Sequence, residues 1–125
     1  MIVLDSSAIL AIALNERGAA QVQAALPQSV MSSVNLAEML IVAERKGVDG
    51  EGTFSDCAQL GLQIVAVEVA HARIAAQIRR AHPDLNLSLG DKLCLALAID
   101  SGAEVLTSDR EMTNVGFGLR VTLFR

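Results

Sequence analysis

The stretch Met1-Ile2-Val3-Leu4-Asp5-Ser6-Ser7 decides how the rest of this chain is read. An apolar run of strand length ends there in a carboxylate and two hydroxyls. Far downstream, Val105-Leu106-Thr107-Ser108-Asp109 has nearly the same form. If both runs are parallel strands of one sheet, Asp5 and Asp109 emerge together at its carboxyl edge, where open α/β sheets bind their ligands. Two acids brought together repel unless a cation or a shared proton lies between them. The pair predicts a metal-dependent site.

Between these two stretches, short apolar runs alternate with helical ones. Met1 to Leu4 reads as a strand, followed by a helix from Ser6 or Ser7 to about Asn15. A second helix, Gly18 to Leu26, stops at Pro27, and Ser29 to Ser33 is a strand. Val34 to Lys46 is a helix closed by Gly47, and Glu51 to Leu60 another, stopped by Gly61. Gln63 to Val67 is a strand, and Val69 to Ala81 a helix ended by His82-Pro83. After a loop from Asp84 to Gly90 comes the helix Asp91 to Ser101, capped by Gly102. Glu104 to Thr107 and Leu119 to Leu123 are the last strands. This alternation predicts a three-layer α/β/α fold with a central, mostly parallel sheet covered on both faces.

The chain has 125 residues, enough for one domain, 1–125, with a buried core. Apolar residues make up 52% of it and charged residues 19%, which excludes a disordered chain. Trp and Tyr are absent, so the core is aliphatic and base-stacking platforms are missing. Recognition of nucleic acid would have to work through phosphates and shape. The net charge of −4 counts against such a partner. Setting aside four of the 14 acids as metal ligands, however, leaves 10 acids against 10 Lys and Arg.

Cys57 and Cys94 do not make a disulfide framework or a zinc site; Cys94, within Leu93-Cys94-Leu95, reads as a small buried apolar group. Asp5 interrupts the only apolar start and no basic segment precedes it, so a signal peptide is not expected. The longest apolar runs, Ala8 to Leu14 and Leu93 to Ile99, fall far short of the roughly 20 residues a membrane span needs. A soluble, cytoplasmic protein is expected.

Four acids carry the chemical argument, and each has a plainer reading. Asp5 precedes a helix and would serve as its N-cap, but Ser6 or Ser7 would cap equally well. Glu38 shares a helix side with Asn35 and Arg45, which fits a solvated face as readily as a site. Asp91 opens a helix that is apolar nearly all round; its plain role is to complement the helix dipole. At the rim of a core, though, an unpartnered carboxylate is expensive, and a cation would relieve that cost. Asp109 could sit in a simple turn, yet a strand end delivering hydroxyl and carboxylate together suits a metal site. Thr107 or Ser108 would then hydrogen-bond a neighbouring acid or hold a ligating water. Glu111 reads as a surface charge, with a further ligand as the alternative.

Carboxylates without nearby His or Cys specify a hard cation such as Mg²⁺ or Mn²⁺. His71 and His82 read as surface or capping groups. Gly50 and Gly52 lack the lysine of a phosphate-binding loop, and no Ser-His-Asp or Cys-His arrangement is present. By elimination the chemistry is metal-assisted displacement at phosphorus.

The segments "IVLDSSAILAIALNE", "SSVNLAEML", "LSLGDKLCLALAI" and "VLTSDREM" resemble, in order and spacing, the motifs of PIN-domain ribonucleases. The likeness is to the small VapC-type toxins of bacterial toxin–antitoxin pairs, and it spans almost the whole chain. It implies that Asp5, Glu38, Asp91 and Asp109 form the family's acidic quartet, with Thr107 as its usual hydroxyl residue before the last acid. Ser6 and Ser108 stand beside these acids as supporting groups. It further implies a central parallel sheet, Mg²⁺ or Mn²⁺, RNA as substrate, a homodimer and a cognate antitoxin. Lys92 and Arg110, each following a proposed ligand, are the candidates for phosphate contact, or else solvated charges. The alternatives are an RNA-processing nuclease of the same family without a toxin role, and a catalytically silent binding module.

Overall fold

Five short apolar segments pair into one sheet in the computed structural model, which describes all 125 residues, Met1–Arg125. The strands are β1 (Ile2–Leu4), β2 (Ser29–Ser32), β3 (Gln63–Val65), β4 (Glu104–Thr107) and β5 (Val121–Leu123). Their order is β3-β2-β1-β4-β5, and every pairing is parallel. The expected mostly parallel sheet is thus wholly parallel. Six helices connect the strands: α1 (Ser6–Ala13), α2 (Ala19–Ala25), α3 (Ser33–Arg45), α4 (Gly50–Gln59), α5 (Val69–Ala81) and α6 (Leu89–Ser101).

Register explains the layers. Val3 stands beside Val30 and Val105, and Leu4 beside Met31 and Leu106. Successive side chains of a strand point to opposite faces, so these two rows cover opposite sides of the sheet. Leu4, Met31 and Leu106 pack with Ala8 and Ile9 of α1, Val22 of α2, Met39 of α3 and Cys57 of α4. Val3, Val30 and Val105 pack with Ile78 of α5 and Cys94, Leu95 and Leu97 of α6. Both faces are therefore covered by aliphatic side chains, as strands flanked by helices require.

The chain leaves β1 for β2 and β3 on one side, then crosses back to β4 and β5 on the other. The direction reverses between β1 and β4, which makes their carboxyl ends the switch point of the sheet. That is the position at which open parallel sheets hold ligands.

Several boundaries differ from the sequence reading for local reasons. β3 ends at Val65 because the N–H of Val67 turns away to donate to Ser33 Oγ at 3.3 Å. β5 starts only at Val121, because Gly116, Phe117 and Gly118 all take positive φ. Helix α1 ends at Ala13, and Asn15 itself adopts φ 53°. Two 3-10 turns, Leu26–Gln28 and Arg110–Asn114, were not anticipated. Helix α6 begins at Leu89, so Asp91 lies inside its first turn rather than opening it. His71 caps α5 as one of its two expected roles, but it is buried rather than on the surface. Its Nδ1 accepts the Glu68 N–H at 3.1 Å, and its Nε2 faces Asp100 at 3.3 Å. No helix is long and apolar enough to cross a membrane.

Candidate active site at the carboxyl edge

Leu4 and Leu106 are partners in the sheet, so Asp5 and Thr107 are the next residues along their two strands. Asp5 is buried and is the N-cap of α1, its Oδ1 accepting the Ala8 N–H at 3.3 Å. Two hydroxyls grip the same carboxylate. Ser7 Oγ donates to Oδ1 and Thr107 Oγ1 to Oδ2, each at 2.6 Å. Each hydroxyl also accepts a backbone N–H from the turn after β4: Ser108 N–H reaches Ser7 Oγ at 3.2 Å, and Asp109 N–H reaches Thr107 Oγ1 at 3.0 Å. Because these oxygens already accept from the backbone, their own protons are directed at Asp5. Three donors therefore converge on one carboxylate and fix its orientation.

Burial is the opposing influence. It pushes the Asp5 carboxyl from its ordinary 3.8 up to about 6, against the downward pull of the Ser7 and Thr107 hydroxyls, with the charge of Asp91 adding to the rise. Asp91 is raised as well, mainly by burial and in part by the charge of Asp109, while hydrogen bonds to Ser88 and the charge of Lys92 hold it down. Asp5, Asp91 and Asp109 are thus electrostatic neighbours. Cys94 lies beneath them, its thiol pushed well above the usual range by burial and by the charges of Asp5, Asp91 and Glu38.

Asp91 is placed by a capping box. Its N–H donates to Ser88 Oγ at 3.0 Å, and the Ser88 N–H donates back to Asp91 Oδ2 at 2.9 Å. The dipole-complementing reading of Asp91 and the site reading thus describe the same residue: Oδ1 remains free for another partner. Asp109 caps the 3-10 turn that follows it, its Oδ1 accepting the Glu111 N–H at 3.0 Å.

Glu38 comes from α3, whose start is capped by Ser32. The solvated-face reading fails at Asn35, which is 1% exposed. Asn35 Nδ2 donates to Glu38 Oε1 at 2.8 Å and to the carbonyl of Gly90 at 3.2 Å. Helix α6 approaches so closely that a Cβ on Gly90 would overlap both carboxylate oxygens of Glu38. Asn35 Oδ1 is buried with no partner in the protein.

The remaining candidates divide. Ser7, not Ser6, binds Asp5, and Ser108 contributes its backbone N–H rather than its hydroxyl. Lys92 and Glu111 are half-buried, and Arg110 is exposed. Ser7, Asn35 and Gly90 escaped the sequence reading. The three-residue spacing of Asn35 and Glu38 on one helix was a legible signal, but which side of that helix faced α6 was not.

The acids do not form a tight cluster: no three His, Cys, Asp or Glu side chains stand together as a ready metal-ligand group. The donor chemistry nevertheless fits a hard divalent cation, being carboxylate oxygen throughout. Burial keeps the nearby Cys94 sulfur a thiol. The open Oδ1 of Asn35 suits a hydrogen from a hydrated ion, since a buried acceptor left unmatched costs about 1–3 kcal/mol.

A wholly parallel sheet with carboxylates just after β1, on α3 and α6, and in the turn after β4 defines a class. The PIN domain family model matches residues 2–118, and the chain belongs to that family. It is similar to a VapC ribonuclease of Mycobacterium bovis and to ribonuclease VapC42 of Mycobacterium tuberculosis. Each is 33% identical over 123 residues, covering 90% of this chain and 93% of the relative. Its fold is similar to that of a chain in a toxin–antitoxin complex from Klebsiella pneumoniae. That match has a TM-score of 0.79 and 18% identity, covering 100% of this chain and 98% of the other.

Proposed function

We propose that residues 1–125 act as one nuclease domain: a Mg²⁺- or Mn²⁺-dependent endoribonuclease that hydrolyses RNA phosphodiester bonds as the toxin of a toxin–antitoxin pair. The observation that carries this reading is the grouping of Asp5, Asp91 and Asp109 at the sheet's switch point, with Glu38 on the adjoining helix. The ribonuclease relatives and the toxin–antitoxin neighbour support the substrate and the partner. Asp5, Glu38, Asp91 and Asp109 would hold the ion, which when bound would neutralise the scissile phosphate and acidify a water.

The chain's own residues set the stage for that chemistry. Ser7 and Thr107 aim the Asp5 carboxylate and favour its charged form. The Ser88 capping box aims Asp91, and the Glu111 N–H aims Asp109. Lys92 and Arg110 flank the acids and would meet substrate phosphates. The antitoxin is a protein that covers this edge and places a basic side chain against the acids. A homodimer is proposed because Ile41, Leu60, Val69 and Leu89 are each more than half exposed. The protein's place is the cytoplasm, where RNA and antitoxin are met.

RNA cleavage by the wild type and Asp91→Asn, each with Mg²⁺, Mn²⁺ or EDTA, tests the proposal. Metal-dependent cutting that is lost in the variant is expected. Equal cutting by both proteins, or none by wild type freed of any co-purifying partner, would overturn it.

A further inference from the structure

Two of the acids arrive on separate helices, Glu38 on α3 and Asp91 on α6, and one buried side chain touches both elements. Asn35 donates one N–H to Glu38 Oε1 at 2.8 Å and the other to the Gly90 carbonyl at 3.2 Å. An amide has two such protons, and both are used. The Gly90 carbonyl belongs to the residue directly before Asp91, so the tie grips the turn that carries this acid. The bare Cα of Gly90 lets the Glu38 carboxylate come close to α6, in space that a Cβ would occupy. Glu38 is thus held between a donor on its own helix and the backbone of the next.

From this arrangement we infer that Asn35 is a positioning residue: it holds Glu38 and the first turn of α6 in a single geometry, presenting both acids to one cation. The inference rests on the cation-binding reading of the site proposed above. Asn35 touches no substrate in this scheme; it acts through Glu38 and through Gly90. Packing alone asks for no amide here, whereas both donors of this one are spent on Glu38 and Gly90.

Asn35→Leu keeps the side-chain size and removes both donors. Residues that orient metal ligands typically change metal affinity by about 10–100-fold when lost. Mn²⁺ binding, read from the paramagnetic resonance of free Mn²⁺, is expected to weaken about tenfold or more in Asn35→Leu. In a Glu38→Gln background the same substitution should cost clearly less, because the part of its effect that runs through Glu38 is gone and only the tie to Gly90 remains to be lost. Wild-type affinity in Asn35→Leu, or an undiminished loss in the Glu38→Gln background, would overturn the role.

Metal-free hydrogen exchange tests the tie independently. The amides of Asp91 and Lys92 should exchange faster in Asn35→Leu, while those of β4 should not. Unchanged exchange in that turn refutes the tie. A wild type that binds no Mn²⁺ refutes instead the cation site, with exchange still judging the tie.

Gly90→Ala approaches the geometry from the other side and covers the case in which Asn35→Leu does not fold. Alanine suits a helix better than glycine, so the fold should not suffer on backbone grounds. Its Cβ must displace the Glu38 carboxylate, and Mn²⁺ affinity should fall with it. Retained affinity in Gly90→Ala would show that Glu38 need not sit where Asn35 holds it.

Discussion

Replacing Asp5 by Asn should make the metal-free protein more stable at neutral pH while abolishing cleavage. Burial pushes the Asp5 carboxyl from its ordinary 3.8 up to about 6, a rise of about 2. At about 1.4 kcal/mol per unit, ionised Asp5 costs the fold about 3 kcal/mol. The sign follows from the raised value: the folded state holds this proton more tightly, so its contribution is fully present below pH 3.8 and lost as pH rises through about 6. Asn carries no charge and caps a helix as well as Asp does, so the bond to the Ala8 N–H survives. One of the Ser7 and Thr107 hydroxyls must then accept from the new amide instead of donating, a loss of about 1 kcal/mol. The net gain is about 2 kcal/mol at pH 7.5, or about 8 °C in Tm at about 4 °C per kcal/mol. Urea and thermal unfolding of both proteins in EDTA, at pH 4 and pH 7.5, read this directly. The advantage should vanish at pH 4, where Asp5 is protonated in the folded wild type. Saturating Mg²⁺ should reverse the order, since ion at about 100 times its Kd stabilises only the wild type, by about 2.7 kcal/mol. If the variant is the less stable protein at pH 7.5 in EDTA, or its advantage persists at pH 4, then Asp5 serves the fold and the argument for a charged site fails.

Thr107→Val removes the donor to Asp5 and the acceptor of the Asp109 N–H in a fully buried position, so it should cost about 1–3 kcal/mol and weaken Mn²⁺ binding about 10–100-fold. Calorimetry and metal titration would check this, and unchanged affinity would remove Thr107 from the site. Cys94 is fully buried with its thiol pushed well up, so a thiol reagent should leave it unmodified in the native state and label it only on unfolding. Labelling at the rate of a free thiol would contradict the placement of α6. Lys92→Ala and Arg110→Ala should raise the KM for RNA and flatten its salt dependence with little change in kcat. A fall in kcat alone would place these side chains elsewhere in the reaction.

The acids at the ends of β1 and β4 were legible because apolar runs of strand length, alternating with helices, admit few folds other than a parallel sheet. Once the strands are parallel, strand polarity alone brings Asp5 and Asp109 to one edge. Helix periodicity likewise marked α6 as buried and put Asp91 near its start. What remained open were questions of facing and of reach. Nothing local says that Asn35 and Glu38 turn toward α6 rather than solvent, or that Ser7 rather than Ser6 meets Asp5. Those outcomes depend on a contact fifty-five residues away in the chain, Asn35 with Gly90, and on the β1–β4 register that brings Thr107 beside Asp5. By itself, then, the order of residues determined the sheet, its polarity and the acids it collects, because these follow from short-range pattern and steric rules. Which hydroxyls and amides orient those acids was decided only by tertiary packing, since a hydrogen bond is settled within a few tenths of an ångström and no periodicity in sequence carries that precision.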